Sequence, residues 1–306
     1  MPVEHDLGIV VRVSDWSETS QTAAIFTERH GLVRVLAKGS KRPKSQYSGG
    51  LELLTLGTCG LIVKPSSELA LLTEWDLHET FAGLRLRLAR YHAAMYVADV
   101  IGQLIVGREA SRTGGASGDG VDGGGDGDAH GGAGETAGFC GAIRNALYEL
   151  ASADHVAPAL VRFSYSAVLE SGLQPELTRY VDTGEVIGAE QATVLFDASA
   201  GGPIQGVGGG AAGGVEGGGG QHAATGRYGR SDQPSRWKVR VATLRCIAAM
   251  VGEPANRESV RPAAVGAAVT ADPQTTERAA KLLACYVRYV IGAPLASLTM
   301  LYPDLG

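Results

Sequence analysis

Six cations lie within sixteen residues near the start of the chain: Arg29, Arg34, Lys38, Lys41, Arg42 and Lys44, in the stretch ERHGLVRVLAKGSKRPKSQYSGGLE (28–52). From Arg29 to Gly50 there is no Asp or Glu, although the whole chain carries a formal net charge of −5. Guanidinium and ammonium groups at this density, interleaved with Gly and Ser, suit a polyanion, because each cation that meets a phosphate displaces a condensed counterion. A solvated loop kept soluble by its charge is the other reading this composition allows. Arg12, on an earlier apolar run, is a lesser candidate for the same surface.

Other chemistry finds little support. The sequence holds no G-x-x-x-x-G-K-[ST], no H-E-x-x-H and no G-x-S-x-G, and its seven histidines are scattered without metal-ligand spacing. AKGS (37–40) approaches the K-x-D-G of nucleotidyl transfer, but Lys38 abuts Gly39 and the Asp is missing. The carboxylate pairs Glu74 with Asp76 and Asp15 with Glu18 are ordinary for strand ends and turns. Cys59, Cys140, Cys246 and Cys285 stand singly with no C-x-x-C pair, which fits buried thiols better than a disulfide framework or a zinc knuckle. The expectation is a non-enzyme with no catalytic residues and no cofactor.

The elements that must position the cations are legible as apolar runs. LGIVVRVS (7–14), SQTAAIFTER (20–29), GLVRVLAK (31–38), LELLTLGTCGLIVK (51–64) and SELALLTEWD (67–76) are rich in Val, Ile, Leu and Thr and are divided by turn signals. Ile9, Val11 and Val13 are expected on one face of the first strand, with Val10 and Arg12 on the other. About five short strands in about 80 residues is the count of a small closed Greek-key barrel, of which the OB-fold is one. From residue 81 the apolar period lengthens to three and four. FAGLRLRLARYHAAMYVADVIGQLIV (81–106), 138–152, 156–172, 235–252 and 272–292 read as helices, the last with Asp272 as cap, Pro273 opening and Gly292 closing. Between them, 172–204 reads as short strips with a turn at DTGE.

Most of the acidity belongs elsewhere. Residues 107–235 hold 16 Asp/Glu against 7 Lys/Arg, whereas 236–306 hold 5 against 9. The middle contains two Gly-dense tracts, 113–138 and 201–226, whose glycines lose much entropy on ordering and bury nothing, so both are expected to be flexible loops. GGASGDGVD within the first faintly matches a calcium nonapeptide but lacks its apolar position and a stable period. No run approaches the roughly 18 apolar residues of a membrane span, so a soluble, cytoplasmic chain with no membrane partner is expected.

The order of residues adds a resemblance. GIVVRVSDWSETSQTAAIFTERHGLVRVLAKGSKRPKSQYSGGLELLTLG resembles the N-terminal domain of the bacterial RecO family: an opening G-I-V, an aromatic turn with E-x-S, then F-T-x-x-H-G, A-K-G and, where the family has R-x-x-K-S, K-R-P-K-S. The likeness is dense over about residues 7–84. Weaker likeness continues in LVRFSYSAVLESGLQPEL (160–177), FDASAGGPI (196–204) and KLLACYVRYVIGAPLASLTML (281–301).

The resemblance implies an α+β fold: an OB-fold DNA-binding domain over 1–80, then a helical domain over 81–306 with a small hairpin at 178–204 and flexible loops at 113–138 and 205–234. It implies a mediator of DNA repair and recombination in the RecF pathway, nucleoid-associated and without turnover. Such a protein binds single- and double-stranded DNA, anneals complementary strands, engages the acidic C-terminal tail of single-strand-binding protein, and works with RecR to load RecA. The alternative is an OB-helical interaction scaffold that does not touch DNA. Many relatives place a four-cysteine zinc site in the hairpin. Here Tyr180, Thr183 and Gln205 stand at those positions, so thiolate ligation is not available and a metal-free hairpin is expected.

The phosphate contacts expected are Arg12, Arg29, Arg34, Lys38, Lys41, Arg42 and Lys44. For the acidic tail, Arg236, Lys238, Arg240, Arg245, Lys281 and Arg288 lie beside apolar helix faces. Among Trp16, Phe26, Tyr47 and Trp75, the aromatics of residues 1–80, few look free to stack on bases, so backbone electrostatics are expected to dominate. Four to six neutralised phosphates would give a slope of log affinity on log salt of roughly −3 to −4.

Overall fold

Period-two patterning in the first third of the chain closes into a barrel. The structure, a computed structural model, describes residues 2–47, 50–63, 69–113, 131–205, 235–252 and 272–305. Strands β1 (Glu4–Asp15), β2 (Gln21–Thr27), β3 (Gly31–Ala37), β4 (Leu56–Ile62) and β5 (Ala70–Glu79) pair in the order β1-β2-β3-β5-β4, and β4 returns to β1. All pairs are antiparallel except β3 with β5. This is the five-stranded Greek-key barrel of the OB type, followed by helices in a mixed α+β chain. Val10, Ile25, Val35, Cys59, Leu61, Leu72 and Trp75 fill its interior. Gly57 is required where β4 passes the Trp75 ring, since a Cβ there would meet Asp76 O at 2.5 Å and the indole at 2.8 Å.

One facing differs from the simple alternation of the first strand. Val10 pairs with Ile25 but Arg12 pairs with Ala24, so Val11 is an extra residue in a β-bulge. A bulge reverses parity beyond it. Val10 and Val13 therefore both turn to the barrel core, while Arg12 turns outward, away from Val10.

The described residues group into two compact units, Met1–Ser171 with Leu295–Gly306, and Gly172–Pro294. In the first, the barrel shares its unit with α1 (Leu88–Thr113), α2 (Gly131–Ser152) and α3 (Ala157–Glu170). Helix α2 lies against the β1–β3 side: Phe139 meets Phe26 edge-on at 6.5 Å, and Thr136 donates to Glu28 O at 2.7 Å. The buried Arg90 guanidinium donates to the carbonyls of Ala151 (2.8 Å), Ser152 (3.3 Å) and Ala153 (2.8 Å). It thereby serves the open C-terminal carbonyls of α2 with a cation at the negative end of the helix dipole. A short C-terminal helix, Ala296–Leu301, is tied to α1 by Ser297, whose N–H and hydroxyl donate to the Asp99 carboxylate at 3.3 and 2.8 Å.

The second unit departs from the helical reading. The hairpin of β6 (Thr193–Asp197) and β7 (Gly202–Ile204) gains a third strand, β8 (Arg236–Arg240), in the order β7-β6-β8. Residues 236–240 are thus strand, and the helix expected from 235 starts as α4 at Val241 (Val241–Val251). The physical reason is alternation within RWKVR: Arg236, Lys238 and Arg240 face solvent while Trp237 and Val239 face inward. Trp237 stacks on Phe196 at 6.1 Å, and Phe196 meets Tyr286 of α5 (Pro273–Ile291) edge-on at 5.8 Å. Helix α5 has the expected ends: Asp272 accepts from Thr275 N–H at 3.1 Å, Pro273 opens the first turn, and Gly292 closes it in the left-handed region.

The Gly-rich tracts are described only at their margins. Residues 131–138, expected as loop, form the first turns of α2, and Gly202–Ile204 are β7. Residues 114–130 and 206–234 lie outside those described.

Candidate nucleic-acid interface

The outer face of β1-β2-β3 is built in rows by the strand register. Ile9, Phe26 and Leu32 form one row at the end where Phe26 meets α2. The next rows along the same face are Arg12–Ala24–Arg34 and Ser14–Thr22–Leu36. Arg12 and Arg34 are exposed and stand about 10 Å apart across two strand spacings, with only the Ala24 methyl between them. The bulge in β1 is what brings Arg12 onto this face.

Beyond Leu36 the face ends in an open cleft of about 450 Å³ lined by Trp16, Ser17, Ser20, Leu36, Lys38, Gly39 and Arg42. Its walls are fixed by local bonds. In the β1–β2 turn, Trp16 and Ser17 N–H donate to Ser20 O at 3.0 and 3.1 Å, and Ser20 N–H donates to Ser17 Oγ at 3.2 Å. Gly39 N–H donates to Ser20 Oγ at 3.1 Å, and Lys41 N–H to Thr19 O at 3.1 Å, joining the two loops. Gly39 has φ +68, a left-handed turn that puts the Arg42 side chain over it.

The cationic loop is anchored from below by buried polar groups. Gln21 Oε1 accepts from Ser40 Oγ and from Leu51 N–H, both at 2.9 Å, and its Nε2 donates to Leu51 O at 3.3 Å. The buried Tyr47 hydroxyl donates to Leu72 O at 2.5 Å, and burial raises its pKa. Lys38, Arg42 and Lys44 are therefore exposed on a loop whose backbone is held in place, which lowers the entropy lost when a ligand binds.

The seven sequence candidates do not form one patch. Lys38, Arg42 and Lys44 cluster on and after the end of β3, and Arg12 and Arg34 continue the face. Arg29 sits at the opposite end of β3, about 20 Å of strand away. There its Nε pairs with the buried Asp6 carboxylate at 3.7 Å, its N–H donates to Asp6 Oδ2 at 3.0 Å, and its guanidinium donates to His5 O. Lys41 pairs with Asp15 at 2.5 Å. Arg29 and Lys41 thus hold the barrel rather than offering free charge. Trp16 is the residue that sequence reasoning undervalued: it is 64% exposed, whereas Phe26, Tyr47 and Trp75 are 0%, 6% and 3% exposed. The signal for it is its place in a turn, SDWSET, outside every apolar period.

The second unit carries a cleft of its own, about 330 Å³, between β8 and α5. Lys238, Arg240, Arg278 and Lys281 supply its charge, and Trp237, Val239 and Leu282 its apolar wall. Of the tail-binding candidates, Lys238, Arg240 and Lys281 line it. Arg236 is instead paired with the buried Asp197 at 2.6 Å, and Arg245 donates to Gly188 O at 3.2 Å. Arg278 was missing from the expected set.

The hairpin residues do not fit a zinc ion. Tyr180 is buried, Thr183 Oγ1 accepts from Glu185 N–H at 3.3 Å, and Gln205 N–H donates to both Asp182 oxygens at 3.1 and 3.0 Å. The Glu176 carboxylate accepts from the N–H groups of Leu177, Thr178 and Arg179 and from the Thr178 hydroxyl. Burial pushes this carboxyl up, but those bonds together hold it below the usual range. Asp197 behaves alike, with burial outweighed by Ser199 and Arg236. Among the described residues no group of three or more His, Cys, Asp or Glu is placed to share a metal ion.

Comparison with known proteins bears on the barrel. The family model described as Recombination protein O N terminal matches residues 1–81, which span the whole of β1–β5. Residues 1–81 belong to the RecO N-terminal family. Similar proteins include the DNA repair protein RecO of Rhodopirellula baltica, 39% identical over 99 residues, covering 32% of this chain and 37% of that protein. Those of Halalkalibacterium halodurans and Bacillus subtilis are 31% and 30% identical over 97 and 94 residues, covering 37% and 36% of those proteins. The matched part therefore spans little more than a third of the length of these RecO relatives. No helix among the described residues is long and apolar enough to cross a membrane.

Proposed function

We propose that this chain is a mediator of DNA repair and recombination that binds single- and double-stranded DNA through its RecO N-terminal barrel and anneals complementary strands. The observation that carries the reading is the open face running from Arg12 and Arg34 to Lys38, Arg42 and Lys44, a line of cations without ion pairs among the described residues on a barrel of that family. A fixed cationic surface screens the repulsion between two polyanions while leaving their base edges free to pair. The protein works without catalytic turnover or metal, in the cytoplasm beside the nucleoid.

Partner binding belongs to the same proposal. The cleft between β8 and α5 offers four cations around an apolar wall, which suits the acidic, apolar-ended tail of single-strand-binding protein. RecR and the loading of RecA enter through the family reading alone. The test is annealing of two labelled complementary oligonucleotides, with and without protein. Acceleration that is lost in a Lys38→Ala/Arg42→Ala/Lys44→Ala variant supports the reading. No acceleration, and no binding at low salt, would leave the barrel as an interaction scaffold. Calorimetry with a tail peptide tests the second cleft separately.

A further inference from the structure

We infer that the cleft at the end of β3 is a base-stacking subsite, in which Trp16 takes the face of an unpaired base while Lys38 and Arg42 hold its flanking phosphates. The inference rests on the nucleic-acid reading above and specifies which form of nucleic acid this end of the face selects.

Three observations meet at the same place. Trp16 leaves 64% of its surface in solvent, an unfavourable position for so large an apolar ring unless something covers it, and the other aromatics of residues 1–80 are buried. The ring lines a cleft with Leu36 as the other large apolar side chain and with two cations, Lys38 and Arg42, on the same rim. The turn that carries Trp16 is closed by its bonds to Ser20, and Ser20 is itself bonded to Gly39 of the cationic loop, so ring and cations belong to one tied structure.

An aromatic face next to phosphate-binding cations matches one chemical class, a single strand whose bases are free to unstack. Every base has a π-face, so such a subsite is blind to sequence. A duplex keeps its bases stacked on each other and presents only phosphates to the same rim. Trp16 therefore separates single from double strands, whereas Lys38 and Arg42 serve both.

The test is fluorescence anisotropy of the full chain with a labelled oligothymidylate, the same strand with abasic sites, and a duplex of equal length. Trp16→Ala should weaken single-strand binding roughly 5- to 150-fold, the range of one lost base stack. It should leave duplex affinity and the salt slope unchanged. Abasic sites should weaken the wild type but not Trp16→Ala, and Trp16→Phe should restore most of the loss. Since the ring is exposed, thermal unfolding of Trp16→Ala should match the wild type. Equal single-strand affinity in wild type and Trp16→Ala, or an equal loss for single strand and duplex, would overturn the stacking subsite while leaving the phosphate face intact. Absence of binding to all three probes by the wild type would overturn the nucleic-acid reading itself.

Discussion

Neutralising the three loop cations should change how binding depends on salt in an amount that can be worked out beforehand. Of seven candidate cations, Arg29 and Lys41 are taken up by Asp6 and Asp15, which leaves Arg12, Arg34, Lys38, Arg42 and Lys44 exposed for phosphate. Five contacts to a single strand give a slope of log affinity on log salt of about −3.5, and the Lys38→Ala/Arg42→Ala/Lys44→Ala variant, with two left, should show about −1.4. Between about 50 and about 200 mM salt the wild type should then lose about 130-fold in affinity and the variant about 7-fold. At about 100 mM the variant should bind about 130-fold more weakly, if both converge near 1 M. Lys41→Ala is the control, since its charge is already met by Asp15 and its removal should leave the slope alone. Anisotropy titrations across a salt series read all three proteins. A triple variant with the wild-type slope, or a Lys41→Ala slope flatter than that of the wild type, would refute the division into free and structural cations.

Further expectations concern the supports of the site. Gln21→Ala removes three buried hydrogen bonds and leaves the Leu51 backbone and Ser40 hydroxyl unsatisfied, so it should cost about 1–3 kcal/mol in denaturant unfolding. It should also speed amide exchange across residues 38–47, and unchanged exchange there would show that the loop is held by something else. In the second unit, Glu176 and Asp197 are both held below the ordinary carboxylate range, so the unfolded chain takes up protons at a pH where the folded unit does not. Their contribution is complete above about pH 5 and is lost as pH falls through the ordinary range towards the depressed folded values. Urea midpoints of that unit should fall on acidification below about pH 4.5, and Glu176→Gln/Asp197→Asn should flatten the fall. A double variant with the same acid profile would remove these two groups as its cause.

Much of the barrel was legible because each strand buries one face and its neighbours are turn-rich, so a period of two survives in the sequence. The first strand shows where that signal fails. A bulge at Val11 costs one residue of parity, and nothing in the pattern VVRV marks which valine is surplus. Strand β8 was misread for the opposite reason, since RWKVR alternates but runs straight into a helical period and is only five residues long. The cations could be counted but not sorted. Asp6 and Asp15 are distant in sequence from Arg29 and Lys41, and only the β1–β2 register, which sets Asp6 beside Arg29, and the joining of the β1–β2 and β3–β4 loops bring the pairs together. Trp16 is one of four aromatics in residues 1–80 and nothing in its composition sets it apart, because its exposure depends on the turn closed by Ser20.

The chain places residues 172–294 between two parts of one compact unit, and that order has a consequence for synthesis. Helix α1 meets its last partner through Asp99 and Ser297, nearly two hundred positions apart. On the ribosome the barrel can close once Glu79 has emerged, yet the helical layer beside it waits for the helix Ala296–Leu301, more than two hundred residues later. During that interval the growing chain would display apolar surface of α1 to chaperones and to other nascent chains, so the rate at which residues 172–294 are translated sets how long the first unit stays incomplete.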